Sequence, residues 1–313
     1  MTGNTGNTGN TGNTGNTGNT GNTGNTGNLG GGAGFFVDRI DLPFVTELTP
    51  DGQGPLAAIR NGAPRSFARH WDSMWWAWGA LAEFTATPEW QQLVATQPAG
   101  PLLIDSWEQR LHPRVQALQA ANPGKNIVVA DAVNEELDLL VRYAEDERAD
   151  ATGEILAQAA NFFPDILGVM SASPNTHPKT VRLMEIGNLV ATLAAMRLKR
   201  IFDRVRPSQM VPALRPVVAL PGHSAYPSGH ATQAHLVARI VGHVVPAGRN
   251  SVATAALVVA KRIARNREIA GVHYPSDSAA GEDLAGRLFA VLTRAGACKS
   301  FEDTVQAAKD EWN

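Results

Sequence analysis

Only one cysteine, Cys298, stands among 313 residues. An internal disulfide is therefore excluded, and no group of Cys and His has the spacing of a zinc site. An excess of charge of one sign is missing too: 27 Lys and Arg face 29 Asp and Glu, for a formal net charge of -2. Without a basic surplus there is no electrostatic footprint for nucleic acid, and no nucleic-acid partner is expected. Long apolar runs are also absent. A membrane span needs about 18 apolar residues in a row, whereas the longest candidate, Val252 to Ala260, ends at Lys261 and Arg262. The N-terminus lacks the basic and then apolar regions of a secretory signal. These absences predict a soluble, cytoplasmic protein with no transmembrane segment. Nothing alternates as a half-buried strand would, so a sheet is not expected.

What is present divides the chain into three. Residues 2–28 are nine copies of TGN with no apolar side chain, so burial cannot offset the entropy of ordering them. Residues 1–34 are read as a disordered tail. Residues 35–130 are read as a mostly helical extension packed on the core, with Trp71, Trp75 and Trp78 at helical spacing in "HWDSMWWAWGALAEF" and expected to face that core. Residues 131–313 are read as the functional helical domain. Helix formers without proline cover 133–163, as one helix or two, and further helical patterns cover 179–204, 230–245, 250–268 and 276–294. With 43% hydrophobic residues to bury, the expected architecture is all-α, a helical bundle. Apolar helices at 133–170 offer a face for a homo-oligomer.

Three short segments concentrate the chemistry. "KRIFDRVRP" (199–207) sets Lys199 and Arg206 about two helical turns apart, so that both cations share a face until Pro207 stops the helix. A basic helix end alone is more often a solvated face. "AYPSGHATQ" (225–233) places Ser228 as an N-cap and Gly229 where backbone must approach a ligand, so first-turn N–H groups favour an anion there. A plain N-cap leaves His230, directly after the glycine, unexplained. "NREIAGVHYPSD" (266–277) predicts a helix starting at Pro275, with Asp277 in its first turn and able to reach back to the ring of His273. An imidazole held in this way keeps its other nitrogen free as a nucleophile or a ligand. Arg267 lies just upstream.

Lys199 with six residues before Arg206-Pro207, then Pro227-Ser228-Gly229-His230, then Arg267 with five residues before His273 and three more before Asp277, make a triple pattern. In that order it resembles the superfamily joining type 2 phosphatidic acid phosphatases, bacterial nonspecific acid phosphatases and vanadium haloperoxidases. The resemblance covers residues 199–277 and implies packed helices with an anion site at one end. It implies that Lys199, Arg206 and Arg267 hold the oxyanion, with backbone N–H groups of Ser228 and Gly229 completing the cradle. It makes His273 the nucleophile, Asp277 its orienting carboxylate and His230 the acid and base. The family usually has Ser before the arginine, where this chain has Asn266, so a modified oxyanion contact is expected.

The expected function is metal-independent phosphomonoester hydrolysis through a phosphohistidine, with no cofactor and a small-molecule phosphomonoester as partner. The alternative is a vanadate-dependent haloperoxidase with His273 as vanadium ligand and peroxide and halide as substrates. His223, seven residues before His230, resembles the extra histidine of the bromoperoxidases, although a loop histidine without a role is the plainer reading. A third reading is a non-catalytic phosphate-binding or scaffold protein, against which the oriented His273 and Asp277 argue.

Overall fold

The computed structural model describes residues 73–312, and the readings made on residues 1–72, the TGN tail and Trp71 among them, lie outside the described residues. Every regular element among the described residues is helical. The helices are α1 (Ser73–Thr85), α2 (Pro88–Val94), α3 (Trp107–Ala121), α4 (Val129–Asp146), α5 (Arg148–Ala160), α6 (Phe163–Met170), α7 (Pro178–Phe202), α8 (Pro207–Met210), α9 (Gly229–Val244), α10 (Asn250–Ile269), α11 (Pro275–Leu292) and α12 (Lys299–Asp310).

Local chemistry accounts for many of the ends. Thr87 caps α2, whose first turn holds Pro88. Ser106 and Gln109 form a capping box on α3, with Gln109 Oε1 accepting the Ser106 N–H at 2.9 Å. The helical stretch expected over 133–163 is two helices, broken at Glu147, where φ of -118° departs from the helical value.

Helix α9 lies at the centre, packed on α7, α10 and α11. One apolar cluster joins α7, α9 and α11 to α1 and α12 through Leu189, Leu236, Leu284 and Phe301, and a second joins α6, α9 and α10 through Ile166, Val237 and Ile263. At Gly281 of α11 the backbones of two helices approach closely. A β-carbon there would sit 2.8 Å from both Ala231 Cβ and Ser228 O, so only glycine lets α11 lie this near the start of α9.

The aromatic helix behaves otherwise than expected. Trp75 and Trp78 of α1 are 43% and 40% exposed, and Ala77, Ala80 and Phe84 fill the face toward the core instead. Small residues let α1 and α7 pack closely, so the indoles fall on the outer side. Trp76 lies under the Arg182 guanidinium, 4.3 Å from its ring centre.

Candidate active site

The site forms where the C-terminal end of α7, the N-terminal end of α9 and the turn from α10 to α11 meet. Helix α7 ends at Phe202, with Asp203 in the left-handed region at φ 41° and its N–H on Lys199 O at 3.1 Å. Arg206, preceding Pro207, is extended at φ -78°, ψ 153°. Lys199 and Arg206 therefore do not share a helix face as their spacing predicted. The chain reverses after α7 and brings Arg206 back on its own strand of loop.

Both side chains are buried and bind carbonyls. Lys199 Nζ donates to Ser224 O at 2.9 Å and Ala225 O at 2.8 Å, while Ser224 Oγ returns a bond to Lys199 O at 2.6 Å. Arg206 Nε donates to His223 O at 3.0 Å, and its guanidinium reaches Val272 O at 2.7 Å. Arg206 thus ties the loop before α9 to the residue before His273, which gathers the three segments into one site. Arg267, in the last turn of α10, is also buried, yet its Nε and Nη1 have no hydrogen-bond partner among the described residues.

The turn after α10 depends on Gly271, at φ 78°, with its N–H on Glu268 O at 2.8 Å. It turns the chain into His273, whose Nδ1 lies 3.1 Å from Asp277 Oδ2. Asp277 sits in the first turn of α11, which starts at Pro275 as its sequence predicts. The same Oδ2 accepts the Tyr274 N–H at 3.0 Å.

Electrostatics follow from burying several cations together. Desolvation, then Arg206, lowers the Lys199 pKa to about 7, and desolvation lowers Arg206 and Arg267 each to about 10. Burial pushes His273 well below the usual histidine value. His230 is only partly exposed, and desolvation, followed by the nearby Arg267, takes it down to about 3. Burial would raise Asp277, but the Arg204 guanidinium and the His273 hydrogen bond outweigh it and hold the carboxyl below its ordinary range.

Two expected contacts are different. The Ser228 N–H donates to Asp277 O at 3.0 Å, because α11 packs so closely on α9, and it is spent there rather than on an anion. Ser228 caps α9 with its hydroxyl, which accepts from Ala231 N at 3.4 Å. Asn266 turns to α5, its amide donating to Gln158 Oε1 at 2.9 Å, so its nitrogen serves packing rather than an oxyanion. The exposed His223 has Nδ1 3.1 Å from an Arg206 Nη2. No group of three or more His, Cys, Asp or Glu among the described residues is placed to hold a metal ion.

Sequence reasoning missed Arg204 and Glu136. Arg204 donates to Asp277 Oδ1 at 2.6 Å and Ser276 Oγ at 2.7 Å, and Glu136 of α4 accepts from Arg204 at 3.0 Å. Arg204 was in view within "KRIFDRVRP", but Glu136 lies in α4, far from all three segments, and no local spacing signals it.

Residues 183–298 match the family model of the PAP2 superfamily. Decaprenylphosphoryl-5-phosphoribose phosphatases from two strains of Mycobacterium tuberculosis are each 33% identical over 110 residues, covering 35% of this chain and 58% of theirs. The match thus spans little more than half the length of these curated relatives. A transmembrane PAP2 type phosphatidylglycerolphosphate phosphatase from Bacillus subtilis is similar at a TM-score of 0.41 and 21% identity, covering 63% of this chain and 96% of that one.

These relatives correct two expectations. A soluble, cytoplasmic protein with a small-molecule partner and no transmembrane segment does not agree with relatives named for a decaprenyl-linked substrate. The missing apolar run misled because it speaks only of spans, not of the lipid character of a substrate. Among the described residues no helix is long and apolar enough to cross a membrane. The curated relatives do not favour a haloperoxidase or peroxidase; their names are those of phosphatases. All three site segments fall inside residues 183–298, the stretch that matches the PAP2 superfamily model.

Proposed function

We propose that this chain hydrolyses a phosphomonoester through a phosphohistidine on His273 without a metal ion. The observation that carries the reading is Arg267, a buried guanidinium whose Nε and Nη1 have no hydrogen-bond partner among the described residues. Leaving such donors unsatisfied is costly, and a phosphate oxygen satisfies them. A scaffold would need the cations but not an imidazole fixed by Asp277 beside them.

Because Nδ1 of His273 is engaged by Asp277, Nε2 carries the free lone pair. That nitrogen attacks phosphorus as the ester P–O bond breaks, and His230 gives its proton to the leaving alkoxide. Water then attacks phosphorus, the P–N bond breaks, and His230 takes the water proton. Lys199, Arg206 and Arg267 offset the charge on the phosphoryl oxygens, joined by the N–H of Gly229 at the first position of α9. His230 must arrive protonated, and its low pKa stems from burial and from Arg267 and Lys199. A bound phosphate opposes those cations and restores the proton's affinity.

The relative's name supplies the substrate class: a phosphate ester borne on a polyprenyl-linked group. Vanadate would occupy the same residues and inhibit, since its five-coordinate form resembles the phosphoryl transition state.

The test assays chelator-treated protein on a chromogenic phosphomonoester and on a lipid-borne phosphate ester, with His273→Ala as control. Hydrolysis without added divalent ions, competitive inhibition by vanadate, and loss of turnover in a folded His273→Ala protein are expected. Turnover that needs a divalent ion, or that survives in His273→Ala, would refute the mechanism. Fast bromide oxidation by the vanadate-loaded protein with negligible ester hydrolysis would refute the activity itself.

A further inference from the structure

Behind the His273 and Asp277 pair lies a second buried ion-pair assembly that the superfamily pattern does not include. Asp277 is fully buried and uses Oδ2 for His273 Nδ1 and the Tyr274 N–H. Its other oxygen, Oδ1, is held at 2.6 Å by Arg204. Arg204 is itself held from the far side: Glu136 accepts from it at 3.0 Å, and the guanidinium lies 3.8 Å from the Tyr274 ring centre and 5.0 Å from that of Trp107. Glu136 is fixed in turn by the first turn of α11, accepting the Ser276 N–H at 2.7 Å and the Ser276 hydroxyl at 2.8 Å. Three elements thereby converge on one guanidinium, that of Arg204 in the loop after α7: α3 through Trp107, α4 through Glu136 and the start of α11 through Ser276 and Asp277.

We propose that Arg204, anchored by Glu136, is a positioning residue that fixes the orientation and ionisation of Asp277 and, through it, the tautomer of His273. This rests on the phosphatase reading for its catalytic consequence, but not for its effect on the hydrogen bond. Arg204 touches neither phosphate nor the attacking nitrogen. It acts because a buried carboxylate with one lone oxygen would rotate or take a proton, and either event would release the imidazole. A lysine has the charge without the planar fork that spans Asp277, Ser276 and Glu136, so the proposal requires the guanidinium and not merely a cation.

The charged and titratable groups facing Asp277 are Arg204 and Lys199, Arg206, His273, Tyr226, Tyr274 and Glu136. Of these, Arg204 is the one cation in direct contact with the carboxylate. Its removal raises the proton affinity of the His273 and Asp277 pair, whose two protonation equilibria are linked.

The test compares wild type with Arg204→Met, close in length but neutral, and Arg204→Lys, with melting temperature measured for each. Two readouts are followed: the pH dependence of kcat and KM on the phosphomonoester, and the downfield proton resonance of the His273 Nδ1–H, assigned by its absence in His273→Gln. In Arg204→Met the resonance should disappear or titrate at a higher pH, by about 1 or more on the pH scale, as expected for losing an adjacent opposite charge. The acid limb of kcat should move with it, so that at a fixed pH on that limb kcat falls at least about tenfold, and KM changes little. Arg204→Lys should recover part of the charge effect but not the sharp resonance. A folded Arg204→Met protein with the wild-type resonance and acid limb would overturn the proposal. If Arg204→Met does not fold, an unshifted resonance and full kcat in Arg204→Lys would overturn it as well. A shifted resonance in a protein that hydrolyses no ester even as wild type would sustain the positioning and count against the phosphatase reading instead.

Discussion

A methyl group added at Gly281 would lie 2.8 Å from Ala231 Cβ, 2.8 Å from Ser228 O and 2.9 Å from Thr232 N. Two of these neighbours are backbone atoms in the first turn of α9, so no flexible side chain can swing away. Relief requires α11 and α9 to separate by about 0.7 Å to regain ordinary van der Waals distance. Overpacking of this kind costs about 3 kcal/mol when the backbone must move, and the better helix propensity of alanine returns about 1 kcal/mol. The net loss for Gly281→Ala is about 2 kcal/mol, or a melting temperature lower by about 4–8 °C for a domain of this size. The effect on turnover is sharper, because the displaced helix carries Asp277, whose carbonyl accepts the Ser228 N–H at 3.0 Å. Pushing α11 outward separates the His273 and Asp277 pair from the Gly229 end of the cradle. Displacements of about 1 Å cost about a hundredfold in rate, so kcat/KM should fall at least about tenfold. Gly153, inside α5, is the control: a β-carbon there meets nothing within 4 Å. Gly153→Ala should stabilise the protein by about 0.5–1 kcal/mol and leave turnover alone. Thermal denaturation and steady-state kinetics on both variants decide the matter. A Gly281→Ala protein as stable and as active as wild type would refute the argument that glycine sets the spacing of the site.

Arg267→Ala should weaken competitive inhibition by phosphate by about one to two decades, since a charge-assisted contact contributes about 1.5–3 kcal/mol. Arg262→Ala, one and a half turns earlier and paired with Glu154 at the surface, should leave that inhibition unchanged. Lys199 gives a pH dependence: with its pKa lowered to about 7 from the ordinary 10.5, the unfolded chain binds the proton more tightly across that window. Raising pH from about 7 toward 10.5 therefore favours the folded state as far as Lys199 is concerned, while it discharges the anion clamp. The increase in melting temperature given by sulfate, whose own charge is constant over this range, should be larger at pH 6 than at pH 8.5. An equal increase at both values would show that Lys199 does not titrate in the clamp.

The parts of this fold that sequence could reach are those fixed by neighbours in the chain. Pro275 and Asp277 start α11, Ser228 starts α9, and apolar periodicity delimits α7 and α10, so these helices fall within a few residues of their expected spans. Other features depend on where distant segments come to rest. Spacing alone put Lys199 and Arg206 on one helix face, but Asp203 ends the helix first and the chain returns by a loop. The Ser228 N–H was free on local grounds; the approach of α11 through Gly281 consumed it. Asn266 was expected at the oxyanion, and Gln158 from α5 claims its amide. The tryptophans of α1 share helical spacing, yet alanines won the buried face, because close packing on α7 favours small side chains. Arg204 and Glu136 had no signal, since a charge pair bridging α4 and the loop after α7 is visible only once both are in place.

The arrangement of charge also explains why this site is built from carbonyls as well as cations. Burial makes Lys199 and Arg206 each easier to deprotonate than in water, with Arg206 adding to the effect on Lys199, and Arg267 is lowered by burial and then by Arg206. A cluster so repulsive would swell or unfold without dipoles to hold it, and the carbonyls of His223, Ser224, Ala225 and Val272 provide them. These acceptors fix Lys199 and Arg206 without neutralising them, so the positive potential survives for a ligand. A carboxylate in the same place would neutralise it. The two carboxylates nearby, Asp277 and Glu136, bind Arg204 instead and stand behind the imidazole. Negative charge is thus kept on the far side of His273, where it orients the ring, and positive charge on the near side, where the phosphoryl charge would develop in the proposed reaction. Moving either carboxylate to the near side would leave the fold's hydrogen bonds countable as before and remove the reason for an anion to enter.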